Sequence, residues 1–195
     1  MNSYPFRSGY SLVELLTAVA VVGSIVLVSV PALDSMNKRR AVRAACSEMR
    51  VIFHEARSRA ITEARHVGLR FIPGDDGWTY EIYRDGDWDG LSNADIDKGI
   101  DRRVSGPHRL LEHTDDIRIG LPSFPLADPE GKLIPDGKGV RFGNSRLCSF
   151  SPRGSSSSGS IFLTDGDEMV AMVRVYGATA KIRSMVYDPS AKVWR

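Results

Sequence analysis

The chain has 195 residues, of which 26 are lysine or arginine, 24 are aspartate or glutamate, and 42% are hydrophobic. A formal net charge of +2 gives no general case for a nucleic-acid binder or an enzyme of acidic substrates, so either claim has to rest on a local patch. Once the N-terminal segment is set aside, the remaining length holds one modest soluble domain with a single core, which excludes a multi-domain organisation.

From Leu15 to Leu33 no residue is charged. A helix of that length spans roughly 28 Å, close to the hydrocarbon thickness of a bilayer, and this predicts a membrane helix. In an ordinary secretory signal a small residue follows the apolar core, whereas here Gly9 precedes it. A cut at Gly9 therefore leaves the apolar segment on the protein. Glu14 stands at the edge of that segment. A carboxylate there is costly unless it reaches the interface or meets a positive partner, and an acid in a first helical turn is also favoured by the macrodipole. Pro31 removes a backbone donor and loosens the helix.

Gly9 followed by Tyr10-Ser11-Leu12-Val13-Glu14 resembles the prepilin-type processing site of type IV pilins and type II secretion pseudopilins. The resemblance implies cleavage between Gly9 and Tyr10 by a prepilin peptidase, N-methylation of Tyr10, and pairing of Glu14 with the amino group of a neighbouring subunit. Counted from Tyr10, Glu14 is fifth and Pro31 twenty-second, the family's positions for both. Tyr10 departs from the usual phenylalanine. The cluster Lys38-Arg39-Arg40-Arg43, set against Arg7 alone in the leader, would by the positive-inside rule put the domain in the cytoplasm. The processing motif is the more specific signal and implies a single-pass inner-membrane protein with its domain in the periplasm.

From Asp34 to about Arg65, Val42, Ala45, Cys46, Met49, Ile52, Phe53, Ala56, Ala60 and Ala64 recur at three- and four-residue intervals, predicting an amphipathic helix that continues the first. Arg39, Arg43, Arg50, Arg57 and Arg65 lie on its other face, interrupted by Glu48, Glu55 and Glu63, as on a solvated surface. After His66 the pattern becomes short β-branched or alternating runs. Strands are predicted at 67–72, 78–83, 117–119, 139–142, 160–164, 170–176 and 181–187, with turns at 73–77 and 165–167 and a flexible loop at 153–159. The expected fold is α+β and pilin-like. A leader (1–9), a membrane or filament-core helix (10–33) and its amphipathic continuation (34–66) precede an antiparallel β domain (67–195).

Within that domain, 85–97 is acidic. Asp85, Asp87 and Asp89 with Gly90 match the first half of an EF-hand-type calcium loop. Ile96 cannot supply the closing carboxylate, which leaves Asp95 or Asp97 in another geometry; otherwise the aspartates build local turns. Calcium is thus the one candidate cofactor, and none is required. Cys46 and Cys148 lack metal-ligand spacing and read either as a disulfide or as two buried thiols. His54, His66, His108 and His113 sit in dissimilar contexts, and no serine lies in a nucleophile motif. No enzymatic activity is expected.

Val140-Arg141-Phe142, the glycine- and serine-rich loop, Ser160-Ile161-Phe162-Leu163 and Met172-Val173-Arg174-Val175-Tyr176 together resemble the globular domain of GspH and FimT, minor pseudopilins and minor pilins. The family's terminal Gly-Arg-x-Arg segment corresponds here to Ala180-Lys181-Ile182-Arg183. In FimT-like proteins that segment binds DNA. Lys181 and Arg183 could still face phosphates, but the planar bidentate donor is lost at position 181. The resemblance implies a minor pseudopilin of a type II secretion system, with other pseudopilins, the prepilin peptidase and the inner membrane as partners. The alternative is a FimT-like minor type IV pilin acting in pilus assembly or DNA uptake.

Overall fold

The structure is a computed structural model describing residues 11–75, 77–111, 117–135 and 139–195, apart from the side chains of 26–35. Two compact units result, residues 1–37 and 38–195. Helix α1 (Leu12–Thr62) begins in the first. Ser11 starts it: its carbonyl accepts from Leu15 N–H at 3.1 Å and its hydroxyl from Val13 N–H at 3.3 Å, which satisfies donors a helix start leaves unpaired. Glu14 follows in the first turn. The large apolar side chains of this stretch are exposed, Leu12 at 76% and Val19 at 61%. Among the described residues, no helix is long and apolar enough to cross a membrane. The span expected at 10–33 includes Tyr10 and side chains from 26 onward that lie outside the described residues. Pro31 falls within the bounds of α1.

In the second unit the rest of α1 buries Val42, Ala45, Cys46, Met49, Ile52, Phe53, Ala56 and Ala60, the stripe its spacing predicts. Ala64 is not part of that stripe. The helix stops at Thr62, and Ala64 is an exposed cap residue with φ 52°. Arg65 N–H donates to Ala60 C=O at 3.2 Å and Ala64 N–H to Ile61 C=O at 3.3 Å. This is a Schellman-type ending in which alanine fills the left-handed position usually given to glycine.

One sheet has the order β3-β2-β1-β6, formed by β1 (Val67–Gly74), β2 (Gly77–Arg84), β3 (Arg102–Arg109) and β6 (Leu147–Phe150). The other has the order β10-β9-β8-β7-β4, with β5 also paired to β7. Its strands are β4 (Arg118–Ile119), β5 (Val140–Arg141), β7 (Gly159–Thr164), β8 (Val170–Tyr176), β9 (Lys181–Asp188) and β10 (Val193–Trp194). All pairings are antiparallel. A short helix, α2 (Asn93–Asp97), lies between β2 and β3.

Every strand expected from the sequence is present. β3, β6, β10 and α2 are additions. β3 reads Arg-Arg-Val-Ser-Gly-Pro-His-Arg, is largely exposed at the sheet edge and pairs with β2 through a register shift. It carries no apolar alternation, and backbone pairing with β2 is joined by side-chain contacts of Arg103 with Glu81 and of His108 with Tyr80.

Alternate residues of β7 and β8 serve two cores. Ile161, Leu163, Ala171, Val173 and Val175 join the α1-side cluster, while Phe162, Val170 and Met172 pack with Leu126 and Ile134. Burial on both faces explains why these strands are apolar almost throughout. The glycine- and serine-rich stretch expected as a flexible loop is instead tied to both sheets. Ser157 N–H donates to Ser149 C=O at 2.8 Å and Ser156 N–H to Gly177 C=O at 2.7 Å. Ser149 N–H donates in turn to the Ser157 hydroxyl at 3.1 Å. Gly159 ends the strap where a Cβ would sit 2.3 Å from the Phe142 ring, so a side chain there would clash.

Candidate functional site

The acidic loop follows β2. Asp85 is buried, and its carboxylate accepts three backbone N–H groups: Trp88 at 2.8 Å, Asp87 at 3.1 Å and Gly90 at 3.2 Å. Trp88 takes φ 75° and Gly90 φ 107°, and the chain turns tightly around that one side chain. The structure brings Asp85, Asp87 and Asp89 together, with one carboxylate oxygen of each within 4.8 Å of the others. Asp89 is pushed above the ordinary carboxylate value by its hydrogen bond with Asp87 and by the neighbouring charges, as expected of acids crowded together.

Asp95 and Asp97 are not brought into this group. Ser92 caps α2, its hydroxyl accepting from Asp95 N–H at 3.1 Å and donating to the Asp95 carboxylate at 2.6 Å. Asp97 pairs with Arg70 at 2.9 Å. Much of the accepting capacity of Asp85 is used by the backbone. Those bonds are the ones by which an aspartate builds a turn. Spacing alone gave no signal for Asp101, which is buried and accepts from Gly86 and Ser92 N–H at 3.2 and 3.1 Å. Burial raises its pKa against those two hydrogen bonds, with the charges of Asp85 and Asp95 adding to the rise. Arg65 closes the loop from the end of α1, donating to the carbonyls of Asp85 and Gly86 and lying over the Trp88 ring at 3.9 Å.

Lys181 and Arg183 are exposed at alternate positions of β9, with Ile182 between them buried in the core. The structure thus places both cations on one face of the strand. Cys46 and Cys148 are free and buried. Burial raises the Cys46 thiol to about 11, partly offset by Arg50, and raises Cys148 well above the ordinary value. Neither carries thiolate character at neutral pH. Gly9 and Tyr10 lie outside the described residues, as does His113. Among the described residues, Ser105 Oγ lies 2.7 Å from His108 Nε2. Both residues belong to the edge strand β3.

An N-terminal helix and two antiparallel sheets define the class as α+β, of pilin-like type. The family model described as type II transport protein GspH matches residues 45–179, and the chain belongs to that family. Membership gives it a type II secretion-related, pilin-like role, in a family of structural pseudopilins. Neither the curated proteins nor the solved structures that were compared gave a match.

Proposed function

We propose that this chain is a minor pseudopilin of a type II secretion system, a structural subunit of the pseudopilus that takes part in protein export across the outer membrane. The observation that carries this reading is the GspH match over 45–179 joined to a helix with Glu14 in its first turn, just after Gly9 and Tyr10. The apolar segment anchors the precursor in the inner membrane with its domain in the periplasm. Cleavage after Gly9 frees the amino group of Tyr10, which is then N-methylated. Glu14 of one subunit pairs with that amine on the next, a contact favoured in an apolar filament core because neither charge has water to stabilise it. Pro31 loosens the helix for the passage from bilayer to filament.

A second reading, a FimT-like minor pilin that contacts DNA, draws on the exposed Lys181 and Arg183. One genetic experiment separates the two. Deleting the gene is expected to leave exported proteins inside the cell envelope, with rescue by the native chain and none by Glu14→Ala. Unchanged export together with lost DNA uptake, restored by the native chain and not by a Lys181→Ala/Arg183→Ala variant, would instead establish the second.

A further inference from the structure

A groove of about 1070 Å³ lies within the second unit, between α1 and the C-terminal end of the larger sheet. Its apolar lining includes Phe124, Leu133, Met169 and Tyr187, and Leu133 is 67% exposed. Four cations share the same lining: Arg39 and Arg43 from α1, and Lys192 and Arg195 from the C-terminal segment. Two acids are present as well. Asp188 pairs with Arg195 at 3.3 Å and also accepts the N–H groups of Ser190 and Ala191, while Glu168 lines the groove. Arg39, Arg43 and Lys192 have no acidic partner among the described residues.

Cations beside exposed apolar surface suit an amphiphile with an anionic head. A purely polyanionic ligand would leave the apolar lining unused, and a neutral lipid would leave the cations unpaired. The sequence supplies a second argument. Arg39 and Arg43 follow Leu33, the last residue of the uncharged run, within about three helical turns.

We propose that this groove binds an anionic phospholipid of the inner membrane, the headgroup phosphate held by Arg39, Arg43 and Lys192 and an acyl chain lying on Phe124, Leu133 and Tyr187. The site rests on the reading of the apolar run as membrane-embedded, and it would hold the subunit at the bilayer surface before assembly.

The test uses the full chain reconstituted in phosphatidylcholine vesicles that carry a fraction of phosphatidylglycerol, with brominated acyl chains placed on one lipid or the other. Trp194 is the reporter. Its ring centroid is 5.3 Å from that of Tyr187, and its indole N–H donates to Ala127 C=O at 2.8 Å, both residues of the groove. Emission missing from Trp194→Phe identifies its signal. At equal mole fraction, brominated phosphatidylglycerol is expected to quench that signal more than brominated phosphatidylcholine. Each arginine replaced in Arg39→Gln and Arg43→Gln is expected to raise the fraction needed for half-maximal quenching roughly fivefold. High salt applied to the unmodified chain should abolish the preference too, which keeps the test decisive if a variant folds poorly. Equal quenching by the two lipids, or a preference indifferent to salt and to both substitutions, overturns the groove site. A chain that does not associate with vesicles at all overturns the membrane reading itself.

Discussion

Glu81 shows how a single charged side chain is kept inside this domain. It is 7% exposed on β2, accepts from the Tyr83 hydroxyl at 2.7 Å, and forms an ion pair with Arg103 on the neighbouring β3. Burial works against its charge, yet the Tyr83 and Arg103 hydrogen bonds outweigh that cost and hold its pKa below the ordinary 4.5. A carboxyl with a lowered folded pKa contributes stability that is present above the unfolded value and is lost as pH falls through the folded one. Glu81→Gln is therefore expected to lose about 1 kcal/mol at pH 7, a figure discounted because Arg103 is half exposed. The native and variant melting curves should converge below pH 4.5, which thermal melts across a pH series would check; a gap that stays constant into acid would contradict it. None of this was legible from sequence, because β3 has no apolar pattern and its Arg103 reads as a surface charge. The aspartates at 85, 87 and 89 were legible as a cluster, whereas the partners that draw Asp95 and Asp97 away, Ser92 and Arg70, depend on a helix cap and on a contact between distant segments.

At the scale of elements, the domain part of α1 is held by Phe53. That ring is fully buried and meets Phe71 of β1, Phe142 after β5 and Phe150 of β6, with centroids 6.1, 5.8 and 6.4 Å away. One helical side chain thus meets two strands of the smaller sheet and the residue that follows β5, so the cavity left by Phe53→Ala cannot be filled by a shift of one element alone. The expected loss is about 3–5 kcal/mol, at the level seen for buried aromatic truncations, to be read from denaturant unfolding of native and variant chains; a loss near 1 kcal/mol would mean that helix and sheets are held mainly elsewhere. The apolar spacing of α1 and the β-branched runs made these elements readable, since burial dictates residue type on both. The serine strap was not readable. Its residues are small and polar whether or not the backbone is pinned, and only the bonds to Ser149 and Gly177 show that it joins the sheets.

For the whole molecule, family and fold converge on a pilin-like chain with a GspH domain, and in the proposed function the terminal residues Gly9, Tyr10, Glu14 and Pro31 are what take that domain into a filament. The resemblance of that motif to a processing site is legible because such a site is local in sequence. The groove proposed to take a lipid was not legible there, because Arg39 and Tyr187 come together only in the fold. The most direct test of the proposed role is mass-spectrometric identification of the proteins crosslinked in intact cells to the full chain and isolated from membranes. A pseudopilin of a type II secretion system is predicted to carry other pseudopilins of that system with it, and its own N-terminal peptide should begin at Tyr10. Recovery of type IV pilus subunits instead, or of a chain that keeps residues 1–9 and carries no filament subunit, would contradict it.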